Sequence, residues 1–169
     1  MDTLEALLTR RSIRRYSGRR IDDEIVDKII RAGMYAPSAV NKQPWHFIKF
    51  RDEKIRSAIM DVHPSSAMLA RADCCILVCY DETLQHDEGY GPVDCSASTQ
   101  NILLAAHALG LGGCWVGIYP RQNRMEAMQR IFGLPDHVKA FAIVALGYPD
   151  EKKAMPERYR PERIHNEKW

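Results

Sequence analysis

Apolar residues recur along this chain in two rhythms, one helical and one extended, with turn-forming residues between them. Leu4, Leu7 and Leu8 follow Asp2 and Glu5, whose spacing matches a capping box and predicts a short first helix. Asp22-Asp23-Glu24 places negative charge at a second helix start, Ile25, Ile29 and Ile30 continue it to Gly33, and Pro37 ends it. Trp45 to Phe50 is aromatic and β-branched, which predicts a strand, and Asp52 caps a further helix through Ile55 and Ile59. Cys74 to Tyr80 is short and continuously apolar, the pattern of a strand covered on both faces.

Asp94 heads a segment to Leu109 that is apolar almost all round, so it is predicted to be a buried helix with His107 packed on it. Gly112-Gly113 leads into a third strand, Cys114 to Tyr119. A helix from Met125 to Phe132 stops at Gly133 with Pro135 beyond, and Ala140 to Gly147 is a fourth strand. Helices precede the first strand, so the strict β-α-β order of a dinucleotide-binding domain is absent. The prediction is an α+β fold with a mixed central β-sheet flanked by helices.

Composition narrows the class without choosing a function. A chain of 169 residues, 46% hydrophobic and 27% charged, is expected to form one domain over 1–169 with a real core. No apolar run approaches the roughly 20 residues that span a bilayer, and the acidic, amphipathic start does not fit a signal peptide. The five cysteines include no C-x-x-C pair, which points to reduced, packed thiols and a cytoplasmic protein. Residues 150–169 are charged and proline-bearing and cannot build a core, so composition alone reads them as a disordered tail.

Charge is where the chain departs from the ordinary. Arg10 to Arg20, RRSIRRYSGRR, holds six arginines in eleven residues, although the formal net charge is only +2. Guanidinium groups are planar, permanently charged and rich in donors, and a neighbouring hydroxyl at Ser12 completes a set suited to phosphate oxygens. Solvation, or pairing with Asp22, Asp23 and Glu24, accounts for such a cluster equally well. His86, Asp87 and Glu88 cluster too, but without a convergent partner pair they do not predict a metal site.

Arg10-Arg11-Ser12-Ile13-Arg14 and Pro37-Ser38-Ala39-Val40-Asn41-Lys42-Gln43-Pro44-Trp45-His46-Phe47 occur in that order. A buried helix, a glycine-rich turn into Trp115-Val116-Gly117, and Arg158-Tyr159-Arg160 follow. The whole series resembles the nitroreductase family of FMN-dependent oxidoreductases, over essentially the full chain. The resemblance implies that Arg10, Ser12 and the backbone at Arg11 hold the FMN phosphate, with Arg158 and Arg160 closing that site. It implies Arg14 beside the N1/O2 edge of the ring, where a cation favours the reduced form. Gly117 matches the backbone N–H donor to flavin N5, and glycine suits a backbone that approaches a ligand closely. Pro37, Ser38 and Asn41 match positions that line the flavin, often from the second subunit of a homodimer, and Trp45 reads as core.

The resemblance further implies hydride transfer from NADH or NADPH to a small acceptor, and a tail about residues 150–169 that wraps the partner subunit. The chain differs from larger members in lacking a lid insertion, and His63 to Leu69 offers no lysine near the flavin. Reductive dehalogenation and oxygen-using flavin chemistry belong to branches of the same fold and stay open. A nucleic-acid binder is the competing class. Against it stand the nearly balanced charge and a basic stretch whose only aromatic is Tyr16.

Overall fold

Four strands and five α-helices of the computed structural model, which describes residues 1–169, form a sheet with helices on both faces. In chain order these are α1 (Thr3–Thr9), α2 (Asp23–Met34), β1 (Trp45–Phe50), α3 (Glu53–Val62), β2 (Cys74–Asp81), α4 (Tyr90–Ala108), β3 (Gly112–Gly117), α5 (Gln122–Phe132) and β4 (Val138–Gly147). Asp2 caps α1, its carboxylate accepting the Glu5 N–H at 2.9 Å, and Asp52 caps α3 through the N–H groups of Lys54 and Ile55.

The sheet order is β1-β2-β4-β3. Every ladder in it is antiparallel, which corrects the expectation of a mixed sheet. The reason is topological. β2 and β3 run the same way and are joined across the sheet by α4, but β4 inserts between them. The one parallel contact is the bridge between Ser12 and Gly113 at the β3 edge.

Alternation along β2 divides the core into two layers. Cys75, Leu77 and Cys79 face Ile59 of α3 and Met128 of α5, whereas Cys74, Ile76 and Val78 face α2 and α4 through Ile29, Ile102 and Ala106. All five cysteines are buried free thiols. Burial pushes the thiols of Cys79 and Cys95 up, to about 12 for Cys79, which makes both poor nucleophiles.

Several boundaries differ from the sequence reading; α5 and β4 start earlier, at Gln122 and Val138, and two further shifts have a clear physical cause. Helix α4 starts at Tyr90, ahead of Asp94, because Pro92 falls in the first turn, where its missing N–H costs no helical bond. Strand β3 runs from Gly112 to Gly117 because the glycines let Ile13 lie against the backbone; a Cβ at Gly112 would stand 2.7 Å from the Ile13 side chain.

Helices α2 and α4 meet at Gly33, where an added Cβ would lie 2.8 Å from Ile102 and 3.1 Å from the Ser98 hydroxyl. Gly33→Ala is therefore expected to destabilise the fold. Overpacking costs about 1–3 kcal/mol, against about 1 kcal/mol returned by helix propensity. Urea unfolding checks this, and an alanine variant more stable than the parent would show that the two helices can separate.

Candidate functional site

The β3 edge of the sheet is where the chemistry-bearing residues gather. In an antiparallel ladder, alternate residues turn both backbone groups towards one neighbour. Ile118 donates to Phe141 of β4 at 3.2 Å, while the Gly113 carbonyl faces outward and accepts from Ile13 at 3.0 Å. By that alternation, and the pairing of Gly117 with Ala142, Gly117 points its N–H and C=O away from β4, over the open edge. A Cβ built on Gly117 meets nothing within 4 Å, so the sheet face beside this part of the edge borders free space.

The arginine segment lies along the same edge. Ser12 bridges Gly113, and the Arg14 side chain approaches the buried Cys114 thiol, countering the upward push of burial on that group. The backbone of Arg14 is held by Glu151, which accepts its N–H at 2.7 Å and that of Arg15 at 3.3 Å. These bonds hold the Glu151 carboxyl below its usual value, helped by Lys153 at 2.7 Å. Nothing in the sequence marked Glu151 for this role. Arg11 is committed internally, donating to the carbonyls of Leu8, Arg10 and Ala154.

No carboxylate lies within 4.0 Å of the guanidinium groups of Arg10, Arg14, Arg15, Arg19, Arg20, Arg158 or Arg160. Of the acids that could pair with the cluster, Asp23 is used by Arg51, and Asp22 and Glu24 pair with no cation. That removes carboxylate pairing as the explanation of the cluster. Arg19 instead stacks on the Tyr148 ring at 4.1 Å. Arg10 is half-buried, and burial, then Arg158, then Arg11 push its pKa down. Arg10 and Arg158 therefore face the same uncompensated positive region within one chain, as expected for an anion site. Arg160 donates only to the neighbouring Tyr159 carbonyl.

His107 sits beside this region but is not part of the anion set. The Thr9 hydroxyl donates to Glu5, so His107 Nε2 donates to Thr9 at 2.8 Å, and burial followed by Arg10 and Arg11 disfavours its charged form.

The loop bearing Pro37, Ser38 and Asn41 is elsewhere. Ala39 N–H bonds the buried Asp94 carboxylate at 3.0 Å near the start of α4, whereas Thr9 meets His107 near its end. Those points are about 20 Å apart along a helix rising ~1.5 Å per residue. One chain does not bring the loop to the arginines. The loop is nonetheless built to a fixed shape: Val40, Asn41 and Gln43 have φ of 48°, 57° and 50°. Such left-handed geometry is rare for a β-branched residue and concentrates at functional positions. Ser38 Oγ accepts the Gln43 N–H at 2.9 Å, and Asn41 Oδ1 accepts from the Gln43 side chain at 2.9 Å. Asp94 serves the loop rather than its own helix, and Asp94 Oδ2 and Ser98 Oγ have no partner in the chain.

The largest cavity, about 650 Å³, is not at the β3 edge. It opens beside α5 and Tyr119, and its polar groups are largely engaged, Lys139 with Glu82 and Gln122 with Glu126. Unpaired cations and an outward N–H make the edge the better site.

Comparison with known proteins follows the same residues. The sequence model of the Nitroreductase family matches residues 7–62 and 62–148. A Methanothermobacter thermautotrophicus protein with the provisional name NADH dehydrogenase/NAD(P)H nitroreductase is 48% identical over 169 residues, covering 100% of this chain and 88% of its own. A similarly named crystal structure from Parabacteroides distasonis superposes with a TM-score of 0.95 at 38% identity, covering 99% of this chain and 98% of its own. A Desulfovibrio desulfuricans structure described as a nitroreductase in complex with FMN gives 0.86 at 30% identity, covering 100% and 99%.

Proposed function

The chain belongs to the nitroreductase family, and we propose that it is a flavoprotein that takes hydride from NADH or NADPH and delivers it to a small acceptor. The observation that supports FMN most strongly is the pairing of an uncompensated arginine set with an outward glycine N–H beside open space on one strand edge. Bound FMN supplies reversible hydride acceptance, which is why no acid–base pair is needed from the protein.

The chain's own residues do the rest. Arg10, Ser12, the Arg11 backbone, Arg158 and Arg160 hold the phosphate. Arg14 stands at the ring's polar edge, its backbone fixed by Glu151. Gly117 offers its N–H to N5. Pro37, Ser38 and Asn41 complete the site from a second copy, since they lie too far from the arginines of their own chain. Met155, Tyr159, Ile164 and Trp169 are more than half exposed, so a partner subunit is also what their side chains call for. With FMN bound, donor and acceptor would use the same exposed site in turn, oxidised nicotinamide leaving before a nitroaromatic, quinone or similar molecule enters.

Gly117→Leu tests this reading. Because no atom lies near a Cβ there, the variant is expected to fold normally while filling the open space on the sheet face beside the N–H. FMN affinity should fall at least tenfold, about 1.4 kcal/mol, with thermal stability of the flavin-free protein unchanged. Normal FMN binding by that variant would place the cofactor elsewhere.

A further inference from the structure

We propose that His63 and Arg124 are positioning residues that lock the Gly117 edge as donor-only towards the flavin, an inference that rests on the FMN reading above. A bare strand edge presents both backbone groups of an outward residue, so Gly117 alone would offer a ligand one donor and one acceptor. The acceptor half is already taken. His63 Nε2 lies 2.9 Å from the Gly117 carbonyl oxygen, and Arg124 Nη1 donates to the same oxygen at 2.9 Å. Two donors use both lone pairs of a carbonyl.

The lock is itself held in place. Ser65 N–H donates to His63 Nδ1 at 3.2 Å, so the ring proton sits on Nε2, aimed at Gly117. His63 is buried at the end of α3, and the Ser66 hydroxyl donates back to its carbonyl at 2.7 Å. Arg124 reaches in from α5 and has no carboxylate within 4.0 Å to draw it away.

Flavin N5 carries a lone pair when the ring is oxidised and an N–H when it is reduced. A donor-only edge therefore favours the oxidised ring. A released carbonyl, still held in the strand by the Ile118–Phe141 bond, leaves an unpaired acceptor on the same edge, and an acceptor available to the N5–H favours the reduced ring. Both effects of the lock act in one direction: it tightens oxidised FMN and lowers the flavin potential, without either side chain touching the cofactor.

The test compares wild type, His63→Leu, His63→Gln and Arg124→Leu by FMN titration and by midpoint potential. His63→Leu and Arg124→Leu are expected to bind oxidised FMN about tenfold more weakly, the worth of one hydrogen bond. Their potentials should rise, and a tenfold change in the ratio of oxidised to reduced affinity reads as about 30 mV for a two-electron couple. His63→Gln keeps an N–H donor and should stay near wild type in both. Arg124 is only partly buried, so its variant reports even where His63→Leu does not fold. A flavin-loaded wild type with Arg124→Leu unchanged in affinity and potential overturns the lock and leaves the FMN reading standing. A wild type that takes up no FMN overturns both.

Discussion

Removal of residues 151–169 is expected to strip the protein of FMN and of its partner subunit together. The deletion takes Arg158 and Arg160 from the proposed phosphate site, Glu151 from the backbone of Arg14 and Arg15, and Ala154 from Arg11. Two charge-assisted contacts at about 1.5–3 kcal/mol each make the loss ~10²- to 10⁴-fold in affinity. The fold itself should survive, because neither apolar core layer contains a residue beyond Tyr148. Beyond Ala154 the chain makes only local hydrogen bonds, so its order has to come from outside its own segment. Sedimentation and flavin titration on the truncated protein check this. A stable dimer with full FMN affinity would show that the tail is the appendage its composition describes.

Arg10→Ala is expected to weaken FMN by about 10- to 150-fold, the worth of one charged contact. Its second signature separates a cofactor anchor from a structural arginine. Burial and the neighbouring Arg158 and Arg11 all disfavour the Arg10 charge, so in the flavin-free protein the alanine variant relieves repulsion. The flavin-free variant should be as stable as the parent or more so, while affinity falls and its dependence on salt weakens. Calorimetry with FMN titration at several salt concentrations measures both. A variant destabilised in the absence of flavin, yet binding it normally, would assign Arg10 to the fold.

Most local elements were visible in the sequence because local chemistry determines them. Trp45–Phe50 matched its aromatic and β-branched run residue for residue, and Asp2 and Asp52 capped the helices they preceded. The start of α4 was missed because Asp94 reads as its head, whereas Gly91 and Pro92 are tolerated in a first turn that begins at Tyr90. The antiparallel pairing was hidden because β4 enters between β2 and β3 from far along the chain, and no local pattern records that insertion.

The candidate site divides in the same way. Arginine density exposed Arg10, Ser12 and Arg14, but that no carboxylate reaches their side chains is a property of the fold, in which Asp23 pairs with Arg51 and Asp22 and Glu24 pair with no cation. Gly117 was visible as a glycine in a strand, whereas the direction of its N–H follows from the register with Ala142. His63, Arg124 and Glu151 reach Gly117, Gly117 and Arg14 across 54, 7 and 137 positions of the chain, and no spacing rule points to them.

The central claim is that the β3 edge and the arginine segment hold FMN. Its most direct measurement is the flavin content of the purified protein, released by denaturation, identified by chromatography and quantified against the chain. The expected result is a yellow protein that releases FMN in an amount equal to the chain. The contradicting result is a colourless protein that takes up no FMN on titration and instead binds nucleic acid with steep salt dependence.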